Sequence, residues 1–280
     1  MDWLQAIALG VIQGATEFLP VSSSGHLVLV RHLFGLTEPV LFFDTSVHVG
    51  TMLAVILVFR HDLKSIGDGL LALARGSLLP DRLALSDREK TGLRLALLVI
   101  VGSVPTAVIG LCWKVLIAER YFVSLYLVGA MLIVTAGILW MTRGRGSKES
   151  PFFSFSGNKG FWVGCAQGMA VLPGISRSGA TIAAALLLGI DRETAARFSF
   201  LLSIPAIIGA ELISAGDLLA GTGKTGLEMT TLIGTGVSFA VGYLALKMLL
   251  AIVNSGKLHL FAPYCLAAGM GVLALAQFRL

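Results

Sequence analysis

Two short polar strings interrupt an otherwise apolar sequence, and they carry the side chains able to do chemistry. The first runs Gln13-Gly-Ala-Thr-Glu17-Phe-Leu-Pro20-Val-Ser22-Ser23-Ser24-Gly25-His26. Gln13 and Glu17 stand four apart, so on a helix they share a face. Pro20 ends that helix, and Ser22, Ser23 and Ser24 suit the cap of the next. Capping alone would account for the serines. A carboxylate such as Glu17 amid apolar neighbours, however, costs about 3 kcal/mol on membrane-insertion scales unless it has a partner or a task. The second string runs Leu172-Pro173-Gly174-Ile175-Ser176-Arg177-Ser178-Gly179-Ala180-Thr181. Gly174 frees its backbone. The hydroxyls of Ser176, Ser178 and Thr181 and the guanidinium of Arg177 then stand at a helix start, where N–H groups and the helix dipole favour an anion. Arg177 paired only with Glu17 is the plainer alternative, but a phosphate site accounts for more of the residues. One string thus offers acid, base and hydroxyl groups and the other an anion clamp. In-line phosphoryl transfer needs that division: a nucleophile, a proton acceptor and positive charge on the equatorial oxygens.

The elements that hold these strings belong in a membrane. Of the 280 residues 56% are hydrophobic and only 13% charged, about half the charge of a soluble domain. Six stretches approach or exceed the roughly 20 residues needed to cross a bilayer: Leu41–Phe59, Leu93–Ile117, Tyr121–Met141, Phe198–Gly216, Met229–Val253 and His259–Phe278. The regions Trp3–Phe34 and Phe161–Ile190 are apolar but broken by the two polar strings. Non-helical backbone survives in a membrane only where protein or a polar cavity satisfies it, so both read as re-entrant hairpins.

The two hairpins also match each other. At a constant offset of 154 residues, Gly10, Gln13, Gly14, Ser22, Ser24, Gly25 and Gly35 align with Gly164, Gln167, Gly168, Ser176, Ser178, Gly179 and Gly189. A duplicated unit follows, with Ser23 facing Arg177 and His26 facing Ala180 in the alignment. The expected architecture is an all-α integral membrane protein of one domain, 1–280. It holds two inverted-topology repeats, 1–145 and 155–280, each a re-entrant hairpin plus three transmembrane helices. Three crossings invert the second copy, so the tips enter from opposite faces and meet near the midplane. With the N-terminus outside, fifteen Lys and Arg fall on cytoplasmic segments against four outside. The positive-inside rule then makes both termini extracytoplasmic and leaves about 60–92 as a cytoplasmic loop. No basic n-region precedes the apolar start, so the N-terminus is expected to be retained.

The net charge of +5 sits between the apolar stretches, where topology and lipid headgroups account for it; nucleic acid is not an expected partner. Cys112, Cys165 and Cys265 lie in apolar stretches without CxxC spacing and read as small buried hydrophobes. Asp44 and His48 either face the cavity or lie near the headgroups; the sequence leaves both open.

The Glu-or-Gln-x-x-x-Glu pattern ending at Glu17, the SSSGH that follows, and PGISRSGAT around Arg177 resemble the paired signatures of the bacitracin-resistance type undecaprenyl-pyrophosphate phosphatases. The resemblance spans essentially the whole chain, including Phe198-Ser-Phe-Leu-Leu-Ser-Ile-Pro205. It implies hydrolysis of undecaprenyl pyrophosphate to undecaprenyl phosphate and inorganic phosphate, recycling the peptidoglycan carrier in the bacterial plasma membrane at a site open to the extracytoplasmic side. It also implies Ser23 as nucleophile, His26 as its proton-transfer partner, Gln13 and Glu17 as the acidic motif, and Arg177 with Ser176 and Thr181 as phosphate clamp; the sequence leaves open direct attack by water in place of Ser23, and Glu17 in place of His26 as the base. Ser22, Ser24, Gly174 and Ser178 complete the candidate binding set. The family is described as using a divalent cation, Mg2+ or alternatively Ca2+, with Glu17 the one candidate ligand. Gln13 stands where some members have Glu, which makes the metal site sparse. Partners are then the polyprenyl carrier lipid and bilayer lipid; a homodimer is left open.

A lipid phosphatase class with a PSGH motif and a histidine nucleophile is set aside, because no His occurs between His61 and His259. The competing function is a polyprenyl-phosphate flippase or transporter, since inverted repeats with broken helices serve transport. A nearby acid, base and hydroxyl favour chemistry, because binding an anionic headgroup needs only cations and N–H donors.

Overall fold

A computed structural model describes residues 2–35, 41–78, 85–116, 124–146, 155–217 and 229–278. Among them every regular element is helical: α1 Trp3–Phe18, α2 Ser23–Leu33, α3 Leu41–Val58, α4 Arg60–Leu78, α5 Asp87–Leu116, α6 Leu125–Trp140, α7 Gly157–Met169, α8 Arg177–Leu187, α9 Arg192–Asp217, α10 Met229–Asn254 and α11 Ala262–Phe278. A 3-10 turn, Leu258–Phe261, leads into α11. Among the described residues four helices are long and apolar enough to cross a membrane, within α5, α9, α10 and the stretch Leu258–Phe278; α3 with α4 makes a fifth if the bent pair is one span. On α5 the outward stripe Leu97, Ile100, Val104, Val108 and Leu111 is more than half exposed, a contiguous apolar face that suits lipid. The chain is a multi-pass membrane protein.

Local chemistry explains the breaks. Asp2 caps α1: its Oδ1 accepts the Gln5 N–H at 2.8 Å, while Gln5 Oε1 accepts the Asp2 N–H at 3.0 Å, a capping box. α1 stops where Leu19 turns extended (ψ 142°), as a residue before proline does. The α7–α8 hairpin breaks over 170–176 and resumes at Ser176, whose Oγ accepts the Gly179 N–H at 3.1 Å.

Within the segment expected as a cytoplasmic loop, about 60–92, the described residues are mostly helical, as α4 after a 76° bend from α3 and as the start of α5; residues 79–84 lie outside the described set. The reason is tertiary. Ser65 Oγ donates to the Arg88 carbonyl at 3.0 Å, Arg88 faces Asp68 at 3.4 Å, and Arg197 at the start of α9 pairs with Asp62.

Two tight helix pairs carry the hairpins. α1 packs on α10, and α7 packs on α5. A Cβ on Gly10 would lie 2.6 Å from the Gly234 carbonyl oxygen, and one on Gly164 only 2.0 Å from that of Gly102. Small residues at these crossings let backbones meet, as in membrane bundles generally. α3 on α10 has its counterpart in α9 on α5, and α6 on α11 and α3 on α9 join the halves, while α4 on α5 has no counterpart in the second half. The largest buried cluster includes Phe18, Phe59, Phe155, Phe198 and Phe200.

Candidate active site

The two hairpin tips meet. The Gly174 N–H donates to Ser22 Oγ at 3.1 Å, joining the α7–α8 break to the α1–α2 break. Ser22 is buried and has φ +68°, a left-handed conformation that costs a serine about 1–3 kcal/mol and needs surrounding contacts to persist. Those contacts are the Gly174 N–H, the Gly25 N–H at 3.3 Å on the same Oγ, and His26 Nδ1 at 2.8 Å on the Ser22 carbonyl. Gly174 has φ +98° and sits so close to α6 that a Cβ would lie 2.4 Å from the Val128 carbonyl. Thr135 on α6 braces the second tip: its Oγ1 donates to the Gly174 carbonyl at 2.8 Å and accepts the Ser176 N–H at 3.1 Å.

Glu17 is where the tips exchange polar groups. Its Oε2 accepts the Ser23 hydroxyl at 2.7 Å and the Gln13 amide at 3.0 Å, and its Oε1 pairs with Arg177. The other guanidinium nitrogen, Nη1, is buried without a hydrogen-bond partner. Arg177 opens α8, whose first-turn N–H groups have no acceptor within the helix. A hydroxyl on a carboxylate, beside a guanidinium at a helix start, can attack and stabilise a phosphoryl group.

A cavity of about 740 Å³ lies against this cluster. Of the residues singled out from sequence it takes Glu17, Ser23, Ser24, Ser176 and Arg177 into its lining. Gln13 is fully buried and reaches the site only through Glu17. Ser22 and Gly174 join the tips, and Ser178 Oγ lies buried 3.2 Å from Ser176 Oγ. Thr181 bonds back to the Arg177 and Ser178 carbonyls at 2.9 and 3.3 Å. His26 is turned away: with Nδ1 on the Ser22 carbonyl, its Nε2 accepts from the Tyr264 hydroxyl at 2.7 Å, the two rings stacked at 5.8 Å. Both ring nitrogens are therefore engaged, and the partner of the Ser23 hydroxyl is Glu17.

Two further lining residues come from α3 and α9. His48 Nε2 stands 3.8 Å from Glu17 Oε2, and its Nδ1 stands 3.8 Å from Glu211 Oε1. Sequence reasoning left His48 between cavity and headgroups, and it passed over Glu211. The signal for Glu211 was present: a carboxylate within an apolar span, the same feature that drew attention to Glu17.

The donor set does not suit a resident divalent ion. Among the described residues no three His, Cys, Asp or Glu side chains converge as ligands. Both oxygens of Glu17 are engaged, by Arg177 on one side and by Ser23 and Gln13 on the other.

Comparison with known proteins covers the same ground from another direction. The family model described as bacitracin resistance protein BacA matches residues 6–271. An undecaprenyl-diphosphatase of Desulfosudis oleivorans is 57% identical over 273 residues, 96% of this chain and 97% of that protein. One from Desulforapulum autotrophicum is 51% identical over 274 residues, with the same coverage. One from Korarchaeum cryptofilum is 42% identical over 279 residues, 98% of this chain and all of that protein.

Proposed function

The chain belongs to the bacitracin resistance protein BacA family, and on that premise we propose that it is an undecaprenyl-pyrophosphate phosphatase, releasing inorganic phosphate to leave undecaprenyl phosphate. The activity for which the relatives are named supports the substrate. The observation that carries the chemistry is the Ser23 hydroxyl on Glu17 Oε2 at 2.7 Å, with Arg177 on the same carboxylate at the cavity wall. A site that only bound or moved an anionic headgroup would have no use for this acceptor, so the flippase reading gains nothing here.

In the proposed mechanism Ser23 Oγ bonds to the terminal phosphorus as the bond to the bridging oxygen breaks, its electron pair leaving with the lipid phosphate. Glu17 takes the Ser23 proton, and Gln13 holds the carboxylate from behind. Arg177, with Nη1 already free of other partners, clamps the equatorial oxygens together with the N–H groups at the start of α8. Ser176 shapes that start as its cap. His26, through Ser22 and Tyr264, fixes the backbone beside the nucleophile. Any Mg2+ or Ca2+ arrives on this reading with the pyrophosphate, not on a prebuilt protein site.

The activity belongs to carrier recycling for peptidoglycan and thus to bacitracin resistance, in the bacterial inner membrane. Excess basic residues on the segments assigned to the cytoplasm support a site and termini on the outer side. The matching packing of α1 on α10 and α7 on α5 supports two repeats, 1–145 and 155–280, inserted in opposite senses.

The test is phosphate release from a polyprenyl pyrophosphate by the purified chain in detergent, with rapid quenching to trap phosphoserine. Activity together with label on Ser23 is the expected result. A protein that moves polyprenyl phosphate across liposomes yet hydrolyses nothing would overturn the reading.

A further inference from the structure

Serine attack uses Glu17 once and leaves the second half of the reaction without a base. After the first step Glu17 holds the Ser23 proton, and that proton must return to Ser23 Oγ when the phosphoserine opens. The incoming water needs a different acceptor. Among the described residues lining the cavity, the other carboxylate is Glu211. It lies in the apolar part of α9, beside Ala206, Ile207 and Ala210, where an ionisable side chain is costly and marks function. Its Oε2 is buried without a hydrogen-bond partner, and its Oε1 stands 3.8 Å from His48 Nδ1. His48 Nδ1 is 3.0 Å from the Asp44 carbonyl, an acceptor that assigns the ring hydrogen to Nδ1 and leaves Nε2 toward Glu17. The imidazole therefore stands between the two carboxylates.

Resting on the serine reading above, we propose that Glu211 is the catalytic base of the second half-reaction, taking a proton from the water that opens the phosphoserine, and that His48, whose ring lies between it and Glu17, is a positioning residue that keeps the two carboxylates apart. The water oxygen bonds to phosphorus as the Ser23 Oγ–phosphorus bond breaks. The bonding pair returns to Oγ, which recovers its proton from Glu17. Glu211 takes one water proton and releases it to solvent with the departing inorganic phosphate.

The experiment is rapid-quench turnover by the full chain in detergent, with polyprenyl pyrophosphate labelled in its terminal phosphate. Glu211→Gln is expected to give one equivalent of lipid monophosphate in a burst, to accumulate label on Ser23, and to slow turnover by about 10²–10⁴-fold, the range for loss of a general base. His48→Gln should accumulate the same label with a smaller loss, and Glu211→Asp should recover part of the turnover. Thermal unfolding of each variant separates these effects from misfolding, and Glu211→Asp carries the test if the Gln variant does not fold. Glu211→Gln with normal turnover, or with formation and breakdown of labelled enzyme slowed alike, overturns the proposal while leaving the serine reading standing. Ser23→Ala with normal turnover sinks both.

Discussion

Ser22 and Ser176 occupy matching places in the two hairpin tips and do the same local work on different backbones. Each Oγ accepts the N–H three residues on, at 3.3 and 3.1 Å, and each lies beside the hydroxyl two residues on, at 3.3 and 3.2 Å. Yet Ser22 has φ +68° and Ser176 an ordinary φ of −76°. The tips part at the neighbouring positions: Ser23 matches Arg177, and Glu17 matches Val171. The difference teaches that the capping scaffold is shared while the reactive groups are divided. The proposed nucleophile and its acceptor are on one tip and the cation on the other, so the proposed site exists only where the two meet.

The largest expected effect breaks the first tip. Ser23→Ala should lose about 10³-fold or more in turnover, as removal of an activated nucleophile does, with unchanged thermal unfolding; a labelled quench then shows no phosphoenzyme. Breaking the second tip comes next. Arg177→Ala should cost about 10²–10³-fold in kcat, the range for losing a preorganised donor to transition-state charge. Arg177→Lys should recover only part, because it restores charge without the fork.

The packing beneath the tips sharpens the comparison. Gly164→Ala should lower Tm more than Gly10→Ala, within about 1–3 kcal/mol for overpacking, because the added carbon meets the Gly102 carbonyl at 2.0 Å against 2.6 Å at Gly234. Equal shifts would deny that the α5–α7 crossing is the tighter one. The smallest effect concerns Ser22. Ser22→Ala should be less stable than Ser22→Gly by about 1 kcal/mol, since both lose the hydroxyl but only glycine accepts φ +68° without strain. Ser176→Ala and Ser176→Gly should differ less, by a few tenths to about 1 kcal/mol, in helix capping alone. Chemical or thermal unfolding in one detergent measures both pairs.

Helix content, the broken hairpins and the pairing of Glu17, Ser23 and Arg177 were legible because their signals are local or compositional. Apolar run length marks the long helices, proline and glycine mark the breaks, and a carboxylate amid hydrophobes marks itself. The extent of α4 was harder to read, because its polar residues are held by tertiary contacts, Ser65 with Arg88 and Asp62 with Arg197. The partners of His26 were illegible for a related reason. It stands three residues from Ser23, and its ring meets the Tyr264 hydroxyl from 238 positions away.

The amino-acid sequence by itself determined that the chain belongs in a bilayer, where it breaks, and which residue types are available for phosphoryl chemistry, because hydropathy, proline geometry and ionisable groups act through nearest neighbours. Tertiary structure alone decided which of those groups share a cavity. Ser22 and Gly174 meet across 152 positions to join the tips, and Glu211 comes to the cavity wall beside His48 from α9, since contacts between residues so far apart depend on how the helices cross.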